Sequence, residues 1–202
     1  MAINSTKQYI IAIGASAGGL DAIYAFFDHT PLDGVSYIVI QHLSANFKSQ
    51  MAQILSTHSK LQVIEATHGV QVESNKVYLI PSSDFMQIKD GRLHLSNKKG
   101  KPGPHMTIDH FFISLAKEQG NKAIVIILSG SGNDGTKGAE IIRKSGGIVI
   151  IQDPATAAYK EMPLSAISGT IADQVLPPED MPKCIEDYAK KEEEGDSDVM
   201  GQ

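Results

Sequence analysis

The most constraining feature of this sequence is a series of short apolar, β-branched segments that alternate with segments of helical spacing. Ala123–Ser129 (AIVIILS) and Ile148–Gln152 (IVIIQ) show the apolar pattern most clearly. Because an apolar run without polar alternation is typical of a strand covered on both faces, these segments predict a parallel sheet between layers of helices. Further strands are predicted at four segments: Gln8–Ile13, Ser36–Gln41, Leu61–Ala66 and Lys76–Ile80.

Helical spacing between these strands predicts helices at Gly18–His29, Ser49–His58 and Gly135–Ser145. In the second of these, Met51, Ile54 and Leu55 are predicted to lie on one face. A further helix contains Ile108, Phe111, Phe112, Leu115 and Ala116, with Thr107 as its predicted N-cap. The alternation of strands and helices predicts a doubly wound, mostly parallel α/β sheet of about seven strands.

One segment departs from this pattern. Phe85–Lys89 and Arg92–Ser96 flank Asp90-Gly91, a dipeptide that favours a two-residue turn between antiparallel strands. We therefore expect an attached hairpin in which Ile88 faces Leu93 and Met86 faces Leu95.

Length and charge limit the possible organisation and partners. A chain of 202 residues suits one core, which we place at residues 1–189, and the charged segment 190–202 is predicted to be a linker or tail. A net charge of -5 argues against nucleic-acid binding. The single cysteine, Cys184, fits a reducing compartment, and no apolar run approaches the roughly 18 residues needed for membrane insertion, so a cytoplasmic location is expected.

The chemistry is expected where the parallel strands end, because ligands bind at the carboxyl edge of such sheets. Ser16 follows the first strand within a G-x-S-x-G pattern, His42 follows the second, and Asp134 follows the strand that begins at Ala123. Serine, histidine and aspartate are the residue types of a nucleophile, a general base and the carboxylate that orients the base. The chain order Ser-His-Asp differs from that of α/β-hydrolases, which indicates a separate fold.

Each of these residues also has a simpler interpretation. The loop Gly14–Gly19 could bind a nucleotide, although Ser16 stands where G-x-G-x-x-G has its second glycine. His42 could be a polar residue at a strand end, and Asp134 could cap its own helix. Ser129 and Ser131 are alternative hydroxyls, and Asp153 is a second choice for the carboxylate.

Several motifs taken together resemble the chemotaxis protein-glutamate methylesterase family, that is, the CheB-type catalytic domain. They are IGASAGG at 13–19, QHL at 41–43, YLIP at 78–81, LSGSGNDG at 128–135, QDPATA at 152–157 and MP at 162–163. The resemblance implies a serine esterase that hydrolyses glutamate γ-methyl esters on the cytoplasmic helices of chemoreceptors and that can deamidate glutamine. It implies Ser16 as nucleophile, His42 as base and Asp134 as carboxylate.

The mechanism implied by the resemblance needs neither metal nor cofactor. Backbone N–H groups of Ala17 and of the loop Gly130, Ser131 and Gly132 are expected to hold the oxyanion or line the substrate site. Ser131 replaces a methionine that is common in the family, and Ala17 replaces a threonine. A catalytically silent module that binds a receptor or partner is the alternative function.

The segments QHLS, LSGSGNDGTKG and VLPPEDMP are most similar to the esterase domain that begins methylesterase–methyltransferase fusion proteins. The resemblance therefore implies a methyltransferase domain in the same full-length chain. With Ser16 so near the start of this sequence, we expect no receiver domain ahead of the esterase.

Overall fold

The computed structural model describes residues 8–41, 48–81, 83–100, 105–169 and 172–189. The strands in this part of the chain are β1 (Ile10–Ala15), β2 (Ser36–Gln41), β3 (Gln62–Glu65), β4 (Val70–Gln71), β5 (Lys76–Leu79), β6 (Asp84–Lys89), β7 (Arg92–Asn97), β8 (Ala123–Ile127), β9 (Ile148–Gln152) and β10 (Gln174–Leu176). The helices are α1 (Gly19–Asp28), α2 (Lys48–His58), α3 (Thr107–Gln119), α4 (Thr136–Lys144), α5 (Glu161–Ser168) and α6 (181–189).

Seven of the described strands form one parallel sheet in the order β10-β9-β8-β1-β2-β5-β3. From β1 the chain first winds outward through β2 towards β5 and β3. It then returns to β8 and winds the other way through β9 to β10. The predicted doubly wound sheet is thereby confirmed, and its topological switch point lies between β1 and β8, where such folds form their ligand crevice.

The sheet is buried on both faces because helices cover each of them. Alternate residues of β1 point to opposite cores: Ile10 and Ala12 pack with α3, α4 and α5, whereas Ile11 and Ile13 pack with α1, α2 and α6. Every residue of β1, β2 and β8 is buried, which explains why these strands are continuously apolar in sequence.

The predicted hairpin is confirmed, including its register. Ile88 pairs with Leu93 and Met86 with Leu95 across β6 and β7. Asp90 and Gly91 both have positive φ, at 51° and 69°, as a two-residue turn of this kind requires. The sequence did not predict β4, which pairs with β7 and extends the hairpin to a small antiparallel sheet. Only two residues of β4 pair, so it carries little periodic signal.

One local prediction was wrong, and one predicted helix face is only partly buried. Ile54 does not share the buried face of α2: its side chain is 39% exposed, whereas Met51 and Leu55 are buried. Helix α2 packs at the edge of the sheet against β3 and α1, which cover only a narrow stripe of it. Thr107 is not an N-cap but the first residue of α3, and a carboxylate from elsewhere in the chain accepts the first hydrogen bonds of that helix.

Helices α3 and α4 pack closely because α4 carries a glycine at their contact. A Cβ atom on Gly138 would lie 2.5 Å from Cβ of Phe112 and 3.1 Å from the backbone Cα of Asp109. A side chain there would therefore push the two helices apart.

We predict that Gly138→Ala destabilises the fold although alanine is the better helix former. The gain in helix propensity is about 1 kcal/mol, and overpacking against Phe112 and the α3 backbone typically costs about 1–3 kcal/mol. Urea denaturation should show a net loss in the free energy of unfolding. Lys137→Ala, on the exposed side of α4, is the control and should change it by less than about 0.5 kcal/mol. A Gly138→Ala variant more stable than the parent would contradict the packing argument.

Candidate active site

Ser16 lies in a tight turn between β1 and α1. Strand β1 ends at Ala15 and α1 begins at Gly19, so the turn has three residues. Gly18 adopts a left-handed conformation with φ of 66°, and a Cβ atom there would lie 2.7 Å from Cβ of Ala158. The turn thus requires glycine for both its backbone angle and its contact. It places Ser16, partly exposed, directly before the N-terminus of α1, where the helix dipole favours negative charge.

The loop after β8 packs directly against this turn. The N–H of Ser16 donates to the carbonyl oxygen of Ser129 at 3.0 Å. A Cβ atom on Gly130 would lie 3.0 Å from Cβ of Ser16 and 2.0 Å from the sulfur of Met162. Gly130 therefore lets the loop, the serine turn and α5 meet without a gap. The structure brings the predicted nucleophile and the predicted substrate loop together at the switch point.

A fully buried hydroxyl joins the two loops. Oγ of Ser129 donates to the carbonyl oxygen of Ala17 at 2.9 Å and accepts from the N–H of Tyr159 at 2.9 Å. The N–H of Ser129 donates to Oε1 of Gln152, at the end of β9. Ser129 is thus a structural link and not an available hydroxyl, which answers one of the alternatives that the sequence left open.

The serine turn is also held from β2. Nε2 of Gln41 donates to the carbonyl oxygen of Ser16 at 2.8 Å, and Gln41 is buried. Gln41 pairs with Ala15 in the β1–β2 register, so the ends of these two strands lie side by side. His42 follows Gln41 in the chain but lies outside the described residues, and its predicted role stays a prediction.

Asp134 is buried at the end of the loop that follows β8. Its two carboxylate oxygens accept hydrogen bonds from the N–H groups of Ile108, at 3.0 Å, and Asp109, at 2.9 Å. It therefore caps α3 and not α4, the helix that follows it in the chain. These two bonds fix the plane and the position of the carboxylate in the loop that follows β8, the strand next to β1.

The other predicted residues of the substrate loop differ in their environments. The N–H of Gly130 donates to the carbonyl oxygen of Tyr159 and is therefore engaged within the protein. Ser131 and Gly132 are exposed beside it, and Ala17 is partly exposed. Asp153, the second choice for the carboxylate, forms a turn in which its Oδ1 accepts from the N–H of Ala155.

The nucleotide interpretation of Gly14–Gly19 is disfavoured by the packing of the turn. Ala158 and Tyr159 lie against Gly18, where a dinucleotide-binding loop would receive a pyrophosphate. Within the described residues, no group of three or more histidine, cysteine or acidic side chains could hold a metal ion. The described part of the chain also contains no helix with the length and apolar character needed to cross a bilayer.

The sequence did not predict the residues whose hydrogen bonds hold the two loops of the site in place. Gln41, Gln152 and Ser129 are buried polar residues whose hydrogen bonds hold the serine turn and the loop after β8. Their only signal in the sequence is a polar residue at the end of an otherwise apolar strand. In sum, the fold and the site define a doubly wound α/β protein with a serine turn and a buried carboxylate at its switch point.

The particular family follows from comparison with known proteins. The family model for CheB methylesterase matches residues 11–185, and the chain belongs to this family. The crystal structure of the Thermotoga maritima CheB methylesterase catalytic domain is similar, with a TM-score of 0.80 and 30% sequence identity, over 90% of this chain and 98% of that one.

Two sequence relatives extend the comparison. A protein-glutamate methylesterase/protein-glutamine glutaminase from Anaeromyxobacter dehalogenans is 30% identical over 92% of this chain and 55% of its own length. One from Xanthomonas euvesicatoria pv. vesicatoria is 35% identical over 85% of this chain and 49% of its own length. The chain thus spans about half the length of these relatives.

We predict that Ser129→Ala destabilises the protein, because it removes the buried hydroxyl that bonds to both the carbonyl of Ala17 and the N–H of Tyr159 in part-buried contacts. Such a loss typically costs about 1–3 kcal/mol. Ser165→Ala is the matched control: its hydroxyl contacts the carbonyl of Gly132 at 3.4 Å but is exposed. Thermal and urea unfolding should separate the two variants, and equal stabilities would show that the Ser129 hydroxyl does not hold the loops together.

Proposed function

We propose that this chain is a serine esterase that hydrolyses glutamate γ-methyl esters on the cytoplasmic helices of methylated chemoreceptors. The observation that carries the proposal is the position of Ser16. It lies at the N-terminus of α1 and at the switch point, one strand away from the buried carboxylate of Asp134. The loops that follow two neighbouring strands, β1 and β8, supply the serine and the carboxylate, which are two of the three residue types of a Ser-His-Asp triad.

In the proposed mechanism His42 is the general base between these two groups. The register that pairs Ala15 with Gln41 supports this role, because the residues that follow this pair start from the same edge of the sheet. His42 takes the proton of the Ser16 hydroxyl as Oγ attacks the ester carbonyl. Asp134 orients the imidazole and stabilises its charged form.

The remaining steps of the reaction need no reactant other than water. The tetrahedral intermediate collapses, the protonated His42 gives its proton to the leaving methoxide, and methanol departs. Water, deprotonated by His42, then attacks the acyl-enzyme and releases glutamate and the free serine. Attack on a glutamine side chain by the same route would release ammonia, which gives the proposed glutaminase activity.

Backbone N–H groups are proposed to hold the oxyanion in both tetrahedral intermediates. Ala17 lies at the N-terminus of α1, and Ser131 and Gly132 lie in the exposed loop after Gly130. The N–H of Gly130 donates to the carbonyl oxygen of Tyr159, so we assign Gly130 the role of shaping the loop and not of binding the oxyanion. One well-placed donor typically contributes about 3 kcal/mol in the transition state.

The biological setting is proposed on the same basis. The names of the relatives support both activities for proteins that share this domain. A cytoplasmic location follows from a substrate on the cytoplasmic helices of receptors. The motifs similar to fusion proteins support a methyltransferase domain elsewhere in the full-length chain, and the charged segment 190–202, which lies outside the described residues, is proposed as the linker.

We predict that Ser16→Ala lowers kcat for methanol release from a methylated receptor fragment by at least about a thousandfold, since loss of a triad nucleophile removes most of the catalysis. Ser168→Ala, whose hydroxyl donates to Ser165 within α5, is the control and should keep full activity. A fluorophosphonate should label Ser16 in the parent protein. Normal turnover by Ser16→Ala would refute the mechanism, and a parent protein that binds receptor without turnover or labelling would favour the silent module.

A further inference from the structure

A second buried carboxylate lies beside Asp134 and is not used by the proposed mechanism. Asp109, in the first turn of α3, is only 5% exposed. Its Oδ1 accepts a hydrogen bond from the N–H of Gly138 at 2.8 Å, and the N–H of Gly135 also bonds to it. Both donors belong to the start of α4, so Asp109 caps the helix that follows Asp134.

The two aspartates therefore cap each other's helices. Asp134 precedes α4 and accepts from the first turn of α3, whereas Asp109 lies in α3 and accepts from the start of α4. Neither carboxylate can move without breaking bonds at the start of the other helix. Gly135 is the link between them, because it follows Asp134 in the chain and donates to Asp109.

Burying a charged side chain at the position of Asp109 costs free energy. Burial raises the pKa of Asp109, and the nearby charge of Asp134 raises it further, while the bonds from Gly138 and Gly135 lower it. Asparagine or serine would cap a helix about as well without a buried charge. A buried, perturbed carboxylate beside a site is a common mark of function.

We propose that Asp109 is a positioning residue that fixes the Asp134 carboxylate in its catalytic orientation by holding the backbone of Gly135. The inference rests on the proposed function, in which Asp134 orients His42. The effect of Asp109 on the rate is through geometry, because an error of about 1 Å in the position of a catalytic group can cost roughly a hundredfold in rate. Asp109 is buried and acts through Gly135 and Asp134.

The test is Asp109→Asn, which keeps one oxygen acceptor but replaces the other carboxylate oxygen with an N–H₂ donor and removes the negative charge. We expect kcat for methanol release to fall by about 10- to 100-fold with KM within about twofold. The second-order rate of Ser16 labelling by a fluorophosphonate should fall by a similar factor while the labelled fraction stays complete. Partial unfolding could lower this rate tenfold only if about nine-tenths of the molecules were unfolded, and circular dichroism would detect that loss of structure.

Asp33→Asn is the matched control. Asp33 is a half-buried carboxylate whose pKa is also raised by burial, and it accepts from the N–H of Val35 and the hydroxyl of Tyr37. It precedes β2 and therefore lies at the opposite edge of the sheet. Loss of stability in this variant should not change kcat or the labelling rate.

A second variant keeps the proposal testable if Asp109→Asn does not fold. Asp109→Glu retains a negative charge that suits the third residue of a helix but moves the carboxylate by one methylene. It should also slow labelling by at least about tenfold. Labelling at the parental rate in either folded variant, or equal losses in Asp33→Asn, would overturn the proposal. A parent protein labelled at Ser16 but inactive on methyl esters would refute the proposed substrate and leave the positioning role standing.

Discussion

The site depends on the parallel pairing of β1 with β8, which brings together two loops more than 100 residues apart in sequence. The bonds continue beyond the strands: the N–H of Leu128 donates to Gly14, and the N–H of Ser16 donates to Ser129. The chain winds outward in opposite directions from these two strands, so the helices that follow them lie on opposite faces of the sheet. In folds of this kind a ligand crevice forms at the carboxyl ends of the two strands. Ser16 lies at this edge of the sheet, directly after β1.

Around this crevice, buried polar groups do the positioning that apolar packing cannot do. Four of these residues are Ser129, Gln41, Asp109 in α3 and Asp134 in the loop after β8. All four are buried, and each makes a hydrogen bond to the backbone of a loop or a helix start. Leaving such a group without its partner is costly, so each bond selects one loop conformation out of many. The sheet and these directional bonds together hold the described loops of the candidate site in one arrangement.

Much of the fold could be predicted because its signals are local. The apolar runs of β8 and β9, the helical spacing of α1 and the Asp90-Gly91 turn each depend on neighbours in sequence, and the structure places all of them as expected. Prediction failed or stayed incomplete where contacts between distant parts of the chain decide. Ile54 is exposed because the edge of the sheet covers only part of α2, and Thr107 does not cap α3 because the Asp134 carboxylate reaches it from another loop.

By itself the sequence determined the alternation of strands and helices, the hairpin register, and the placement of Ser16 and Asp134 in the loops that follow buried strands. These follow from periodicity and turn chemistry, which act over a few residues. Only the tertiary structure decided that Asp134 caps α3, that Asp109 caps α4 in return, and that the Ser129 hydroxyl is buried between two loops. The physical reason is that a hydrogen bond between residues distant in sequence depends on strand order and helix packing, which leave no periodic trace in the chain.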